Sequence, residues 1–488
     1  MPLVDLAPLG ARLEVERGAS LESALAPYGV EFPCGGAGVC RGCRVRVIEG
    51  RIAITPEMQE VFSAAELAAG WRLACCSRVE GPLKLEIAQW ETPILSDDSQ
   101  FAFEPAEGLG IAIDLGTTTL VAQRLDLATG EVLAVETALN PQTEWGADVM
   151  SRVQYALSGG GGELTAAIRR TLAHMVKPAR LVLLAGNTVM HHLFCGIDVE
   201  PLAHAPFQPA DHGKRVFTPA ELGWDLPTDT SIRFLPCLGS FVGSDILAGI
   251  LATGIAESAE IAALVDLGTN GEIAMGNCER ILCASTAAGP AFEAGRIRKG
   301  MRAASGAISH VAARNGSLEC RVIGDAPPRG ICGSGLVDAA AAGLDLGRIL
   351  PNGRFANGAR EMALVPPVAI TQADVRELQL AKGAIAAGLR ILADRWGARV
   401  EDIRKIHLAG AFGNYVNIES ARRFGLLEAE PSCIFPAGNT SLRGVKMALL
   451  APSRRDAWIG GIHVRAEHVP LAADLKFQET FVDCLAFP

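Results

Sequence analysis

The chain has 488 residues, a formal net charge of −10, 49% hydrophobic residues and only 5% aromatic ones. That length predicts two to four domains, and the acidic balance argues against nucleic acid or an anionic membrane surface as partner. No stretch approaches the roughly eighteen uninterrupted apolar residues of a membrane span. Met1-Pro-Leu-Val-Asp-Leu lacks the basic and then apolar regions of a secretory leader. Thirteen cysteines, an odd number scattered singly beyond Cys76, fit a reducing cytoplasm.

In chain order, Leu13-Glu-Val-Glu reads as a strand, Gly18 as a turn and Ser20 as the cap of a helix. Next comes Cys34-Gly-Gly-Ala-Gly-Val-Cys40-Arg-Gly-Cys43, three cysteines on a glycine-rich loop with gaps of five and two residues. A fourth, Cys75, sits in Arg72-Leu-Ala-Cys75-Cys76-Ser77. Four thiolates can hold a two-iron, two-sulfur cluster. A loop wrapped round such a group needs backbone angles that glycine tolerates, and its N–H groups can point at the sulfurs. A zinc site more often shows two C-x2-C pairs, and disulfides do not suit a cytosolic chain. Zinc or structural thiols are the alternatives to iron and sulfur.

Cys43-Arg-Val-Arg-Val-Ile alternates polar and apolar like a half-buried strand. Thr55 to Ala69 reads as an acidic helix, and Leu83-Lys-Leu-Glu-Ile alternates again, closing the unit near Trp90. The C-x5-C-x2-C spacing resembles the adrenodoxin group of ferredoxins, and Leu73-Ala-Cys75 resembles the turn that carries their last ligand. Cys75 is therefore the preferred fourth ligand beside Cys34, Cys40 and Cys43, with Cys76 its rival. The element order resembles the β-grasp ferredoxin fold.

Asp97 to Gly108 lacks periodicity and reads as a linker. Then the pattern changes. Gly110-Ile-Ala-Ile-Asp114-Leu-Gly116-Thr117-Thr118-Thr119 is an apolar strand ending in an acid and a Gly-Thr-Thr turn, and Ala263-Leu-Val-Asp266-Leu-Gly268-Thr269-Asn270-Gly271-Glu272 nearly copies it. Leu181-Val-Leu-Leu-Ala-Gly186-Asn187-Thr188 is echoed by Ile406-His-Leu-Ala-Gly410-Ala-Phe-Gly413-Asn414. Such repetition implies two related α/β lobes. Helices over Thr165–Met175 and Thr371–Trp396 imply mixed sheets covered by helices. The expected division is 1–92 for the ferredoxin unit, 93–108 for the linker and 109–488 for the second part, with lobes of about 109–260 and 261–488.

An acid at a strand end followed by a Gly-Thr turn suits a nucleotide with magnesium: the turn offers donors to phosphate and the acid holds the metal or its waters. The set resembles the ATPase superfamily of actin, hexokinase, acetate kinase and the large heat-shock chaperones. Its first phosphate motif falls on Asp114, Gly116, Thr117 and Thr118, its second on Asp266, Gly268, Thr269 and Asn270, and its adenosine motif on Gly410, Ala411, Phe412 and Gly413. Asn140-Pro-Gln, Gly186-Asn-Thr-Val-Met-His-His-Leu, Phe241-Val-Gly-Ser-Asp, Ser285-Thr-Ala-Ala-Gly-Pro-Ala-Phe-Glu293, Gly330-Ile-Cys-Gly-Ser-Gly-Leu-Val-Asp338 and Leu408-Ala-Gly-Ala-Phe-Gly-Asn-Tyr together resemble the reductive activators of corrinoid proteins. That family joins an N-terminal [2Fe-2S] ferredoxin domain to this ATPase.

The resemblance implies ATP-dependent reduction of the inactive cob(II) state of a corrinoid protein in a methyltransferase system to cob(I), with an upstream low-potential electron donor. It implies a [2Fe-2S] cluster, ATP and Mg2+ as cofactors. Plant-type clusters lie near roughly −400 mV, and the cobalt couple is expected to be more negative. A gap of roughly one to two hundred millivolts needs about 2.5 to 5 kcal/mol, which ATP supplies only by binding one state of the complex better than another. The chain departs from the family pattern between Cys75 and Asp114, where only 38 residues lie (114 − 75 − 1 = 38). The small domain expected there is missing, so a homodimer formed through it is left open.

Asp245 and Glu272 are candidates to orient the attacking water, against bland readings as a helix cap and a surface acid. Ser285 and Thr286 are candidates to face the partner's cobalt, although an N-cap role is the plainer reading. His191 and His192 read as packing residues, Cys332 as a small buried residue beside a glycine turn, and Arg296, Arg298 and Lys299 as a solvated face. The rival class is a small-molecule kinase of the acetate/sugar-kinase superfamily with a redox-sensing ferredoxin domain. A chaperone or filament module leaves the cluster without purpose, and a plain oxidoreductase would need a dinucleotide fingerprint that is absent.

Overall fold

The computed structural model describes residues 1–7, 11–25, 28, 30, 38, 43–87, 103–268, 270–301, 303, 306–323, 326–413 and 416–488. Cys34, Cys40, Trp90, Thr269 and the expected linker up to residue 102 lie outside the described residues.

The N-terminal unit is a five-stranded sheet in the order Ala11–Glu14, Leu3–Ala7, Leu83–Ile87, Arg44–Glu49, Trp71–Leu73. Leu3–Ala7 and Leu83–Ile87 run parallel, with Val4 opposite Leu83 and Leu6 opposite Leu85. The other pairs are antiparallel. Alternation puts Val4, Leu6, Val45, Leu83, Leu85 and Ile87 on one buried face, where they pack with Leu21 and Leu25 of the Leu21–Leu25 helix and with Met58. This is the β-grasp arrangement. The strand Leu3–Ala7, which the pattern reading passed over, lies beside the centre of the sheet. The helix expected over Thr55–Ala69 is broken into Pro56–Val61 and Ala64–Ala68. Phe62 turns into the core, and Ser63 starts a new capping box with Glu66. Glu22, almost wholly buried, pairs with Arg321 at 3.1 Å, which ties this unit to the hairpin of Ala307–Arg314 and Ser317–Val322.

The repeated sequence becomes repeated topology. One six-stranded sheet runs Arg215–Phe217, Ser231–Phe234, Leu181–Gly186, Leu109–Leu115, Thr119–Asp126, Val132–Leu139; the other runs Ile434–Gly438, Lys405–Ala409, Ala262–Leu267, Gly271–Gly276, Ile281–Thr286, Ala466–His468. In the first, Asp114 stands opposite Ala185 of a parallel strand and Val121 of an antiparallel one. In the second, Asp266 stands opposite Ala409 and Glu272 in the same senses. The two acids therefore occupy equivalent strand ends in two copies of one motif. The expected long helices form at Gly161–Met175 and Gln372–Trp396, the latter capped by Thr371 with Asp374.

Between the sheets lies a shared core that joins Ala112 and Leu183 of the first to Leu264, Ala274 and Cys283 of the second. Two helices fill it, Ser244–Thr253 and Thr440–Leu450. They cross at glycines. A Cβ on Gly444 would lie 1.9 Å from the Ala248 carbonyl oxygen, and one on Gly249 would lie 3.0 Å from Thr440 Oγ1. No side chain fits where backbone meets backbone. Gly444→Ala is expected to destabilise the protein by about 1–3 kcal/mol through overpacking, read as a lower midpoint in thermal unfolding.

Candidate functional site

The crossing helices pack against the strands Leu109–Leu115 and Ala262–Leu267, whose ends carry Asp114 and Asp266. Asp114 is held there from the opposite side of the chain. Asn439 Nδ2 donates to its Oδ2 at 2.7 Å and Ser441 Oγ to its Oδ1 at 2.8 Å. Asn439 Oδ1 also accepts from Leu442 N and so caps the Thr440–Leu450 helix. One asparagine thus fixes the helix start and aims the acid.

The turn after Asp114 is braced from below. Gly116 N donates to Thr119 O, and a Cβ on Gly116 would stand 2.5 Å from that oxygen. Asn140 Nδ2 donates to Gly116 O at 2.9 Å, and Asn140 N donates to Thr118 O. Asn187 Nδ2 donates to Thr117 Oγ1 at 2.8 Å. Arg152 Nη2 donates to Thr117 O at 2.6 Å and its Nε to Gly146 O at 2.9 Å. Arg152 is fully buried, and that burial lowers its guanidinium to about 10. A positive charge therefore sits beneath the turn expected to meet phosphate.

In the second lobe Gly268 N donates to Asn270 O. Gly410 has φ +83°, and a Cβ on it would lie 2.6 Å from Asp266 Oδ1, so the Gly410–Gly413 turn closes on the acid only because position 410 has no side chain. Phe412, expected at the adenosine motif, is 5% exposed and stacks on Phe292 at 4.9 Å. It supports the turn from the core rather than lining the cleft.

Asp245 and Glu272 join Asp114 and Asp266. Asp245 lies in the first turn of the Ser244–Thr253 helix, whose N-cap is Gly243, so it is not the cap that the bland reading supposed. Glu272, expected as a surface acid on that reading, is 8% exposed. Burial first, then the charge of Asp266, pushes Asp245 up to about 8. Burial, then Asp114, pushes Asp266 up to about 7. Glu272 is raised well above the usual carboxylate range by burial and by both neighbours. Burial raises Asp114 as well, against the two hydrogen bonds that lower it. Among the described residues no three His, Cys, Asp or Glu side chains form a ready metal cage.

Ser285 and Thr286 require a correction. Both belong to the strand Ile281–Thr286, not to a helix start, and the following turn at Pro290–Glu293 is capped by Gly289. Thr286 is 3% exposed and donates to Gly271 O at 3.0 Å, so it cannot face a partner. Ser285 stands opposite Glu272 and donates to its Oε1 at 3.4 Å. His191 and His192 are buried, and Cys332 is buried beside Ser334, as their packing readings required. Arg298 reaches Glu361 at an exposed ion pair.

Cys34 and Cys40 lie outside the described residues, but Cys43, Cys75 and Cys76 converge. Cys43 Sγ and Cys75 Sγ are 3.3 Å apart, and Cys75 Sγ and Cys76 Sγ 3.6 Å. No disulfide joins any of the described cysteines. The 3.3 Å separation far exceeds the about 2.05 Å of a disulfide. It is near the roughly 3.8 Å edge of a tetrahedral site with bonds of about 2.3 Å. Gly38, φ +78°, closes directly over Cys76 Sγ, where a Cβ would lie at 2.7 Å. This sulfur cradle fits an iron–sulfur cluster.

Fold and sites together define a [2Fe-2S] ferredoxin domain followed by an actin-like, two-lobed nucleotide-cleft domain. Three family descriptions match in series: a 2Fe-2S cluster-binding domain over residues 4–80, the RACo middle region over 109–258, and the C-terminal ASKHA domain of RACo over 260–488. The chain is 36% identical over 418 residues to the corrinoid activation enzyme RamQ of Eubacterium limosum, covering 76% of this chain and 69% of that protein. It is 30% identical over 417 residues to the [Co(II) methylated amine-specific corrinoid protein] reductase of Methanosarcina barkeri, covering 78% and 77%. Among solved structures, a reductive activator for corrinoid, iron-sulfur protein superposes with a TM-score of 0.70 at 26% identity, covering 100% of this chain and 98% of that one. The chain belongs to the family of reductive activators of corrinoid proteins.

The raised acids set a pH dependence. Asp245 and Asp266 bind protons more tightly folded than unfolded, so between their ordinary value near 3.8 and their folded values of about 8 and about 7 the native state holds more protons. Stability without nucleotide or divalent cation is then lost as pH rises from about 4 to about 8. Asp245→Asn is expected to flatten that loss and to raise the unfolding midpoint at pH 8, followed by denaturant titration across this range.

Proposed function

We propose that this chain is an ATP-dependent reductive activator, which converts the inactive cob(II) state of a corrinoid protein in a methyltransferase system to cob(I). The carrying observation is that one chain joins a thiol cradle to a set of four buried acids from two duplicated lobes. We take the division as 1–92, 93–108 and 109–488, and the protein as cytoplasmic and loaded by an upstream low-potential donor.

In this reading Cys34, Cys40, Cys43 and Cys75 hold the [2Fe-2S] cluster. A cluster bound there supplies single electrons at low potential. Gly116, Thr117 and Thr118 present donors to phosphate, with Arg152 below them adding positive charge. Gly268, Thr269 and Asn270 meet phosphate from the other lobe, and Gly410, Ala411 and Gly413 leave room for adenosine. Asp114 and Asp266 would hold Mg2+, and Asp245 or Glu272 would orient the attacking water. Bound Mg–ATP relieves the repulsion among these acids, which favours a closed cleft, and closure changes which surface the partner meets. That differential binding is how nucleotide can drive an uphill electron. Ser285, beside Glu272, is the residue left to face the partner's cobalt.

The test is an anaerobic mixture of the chain, a cob(II) corrinoid protein and a reductant. The sharp near-ultraviolet band of cob(I) is expected only with ATP, and is expected to vanish in Cys40→Ala. Equal cob(I) formation without nucleotide would refute the coupling. Asp245→Ala is expected to slow ATP turnover by about 10²-fold or more while the visible spectrum of the cluster stays unchanged.

A further inference from the structure

We propose that Cys76 is a hydrogen-bond donor to the ligating sulfur of Cys75 and thereby raises the reduction potential of the cluster. The proposal rests on the reading above that Cys75 is the fourth ligand, and it assigns a positioning role to the neighbouring thiol.

Cys75 and Cys76 share the short turn Ala74–Cys76. Their sulfurs lie 3.6 Å apart, while Cys75 Sγ also meets Cys43 Sγ at 3.3 Å. Cys75 thus contacts both a loop cysteine and its chain neighbour. Cys76 is held on its other side. Gly38 belongs to the glycine-rich loop between Cys34 and Cys40, and a Cβ there would lie 2.7 Å from Cys76 Sγ. The bare glycine lets the loop press on Cys76 and keeps its sulfur against Cys75.

Between the two thiols either sulfur can donate. A Cys75 that ligates iron is a thiolate and has no proton to give, so the S–H of Cys76 becomes the donor of the pair. Hydrogen bonds to ligating sulfurs are among the factors that set cluster potentials. They favour the more negative, reduced state, because added electron density on sulfur strengthens the bond. Cys76 therefore eases loading from the upstream donor and makes the onward step to cobalt steeper, which enlarges the share that nucleotide must supply.

The experiment is an EPR-monitored redox titration of the full chain, wild type against Cys76→Ala, Cys76→Ser and Cys75→Ala, with iron and sulfide measured for each. Cys76→Ala is expected to keep its cluster with a more negative midpoint. Cys76→Ser, which retains an O–H donor, is expected to move back toward wild type, and Cys75→Ala to lose the cluster. An unchanged midpoint in Cys76→Ala overturns the proposal. So does loss of the cluster in Cys76→Ala with retention in Cys75→Ala, which would make Cys76 the ligand. So does a serine variant that behaves as alanine. A wild-type chain without iron and sulfide overturns the cluster reading itself, and the donor role falls with it.

Discussion

The contact of two helix backbones at Gly444 and Ala248 governs the second part of the molecule. The crossing fixes how the two sheets face each other, and Asn439, which caps one of the crossing helices, also carries the hydrogen bond to Asp114. An acid on the first lobe is thus aimed by the first residues of a helix that follows a strand of the second. A movement of either lobe about this crossing must act on the geometry around Asp114.

Buried carboxylates are the cost of that design. Asp114, Asp245, Asp266 and Glu272 all sit above their ordinary titration range, Asp114 through desolvation alone and the other three through desolvation and then neighbouring acids. Like charges brought together away from water weaken a fold unless a cation or a proton answers them. A core of aliphatic residues shared by both sheets supplies the compensating stability. The strain is local to a cleft where a cation with phosphate would relieve it, which is how functional sites commonly differ from the rest of a fold.

The ferredoxin unit poses a different problem. Its sheet is stable through an ordinary alternating core, while the sulfurs of Cys43, Cys75 and Cys76 gather together. The Glu22–Arg321 pair joins it to a hairpin of the second lobe. His310 of that hairpin meets Asp338 on the Gly333–Asp345 helix. The start of that helix packs on Phe292 and Phe412 behind the Gly410 turn. A continuous set of contacts therefore runs from the Gly410 turn to the ferredoxin unit.

Much of this was legible in the linear chain. The cysteine spacing, the two Asp-Leu-Gly turns and the two strand-Gly turns pointed to a β-grasp unit and duplicated lobes, because each motif is local and each repeat keeps its own register. What the chain order hid depends on partners far apart. Asn439 and Ser441 reach Asp114 across more than three hundred positions. Arg152 lies in an unremarkable helix until folding carries it beneath Thr117, and its one local sign is a lone cation in an apolar stretch. Thr286 looked like a cap and became a buried strand residue, since only pairing with Gly271 reveals which way it faces. Short-range chemistry is written in neighbouring residues. The side on which a group emerges, and what it then meets, was decided only when the sheets closed.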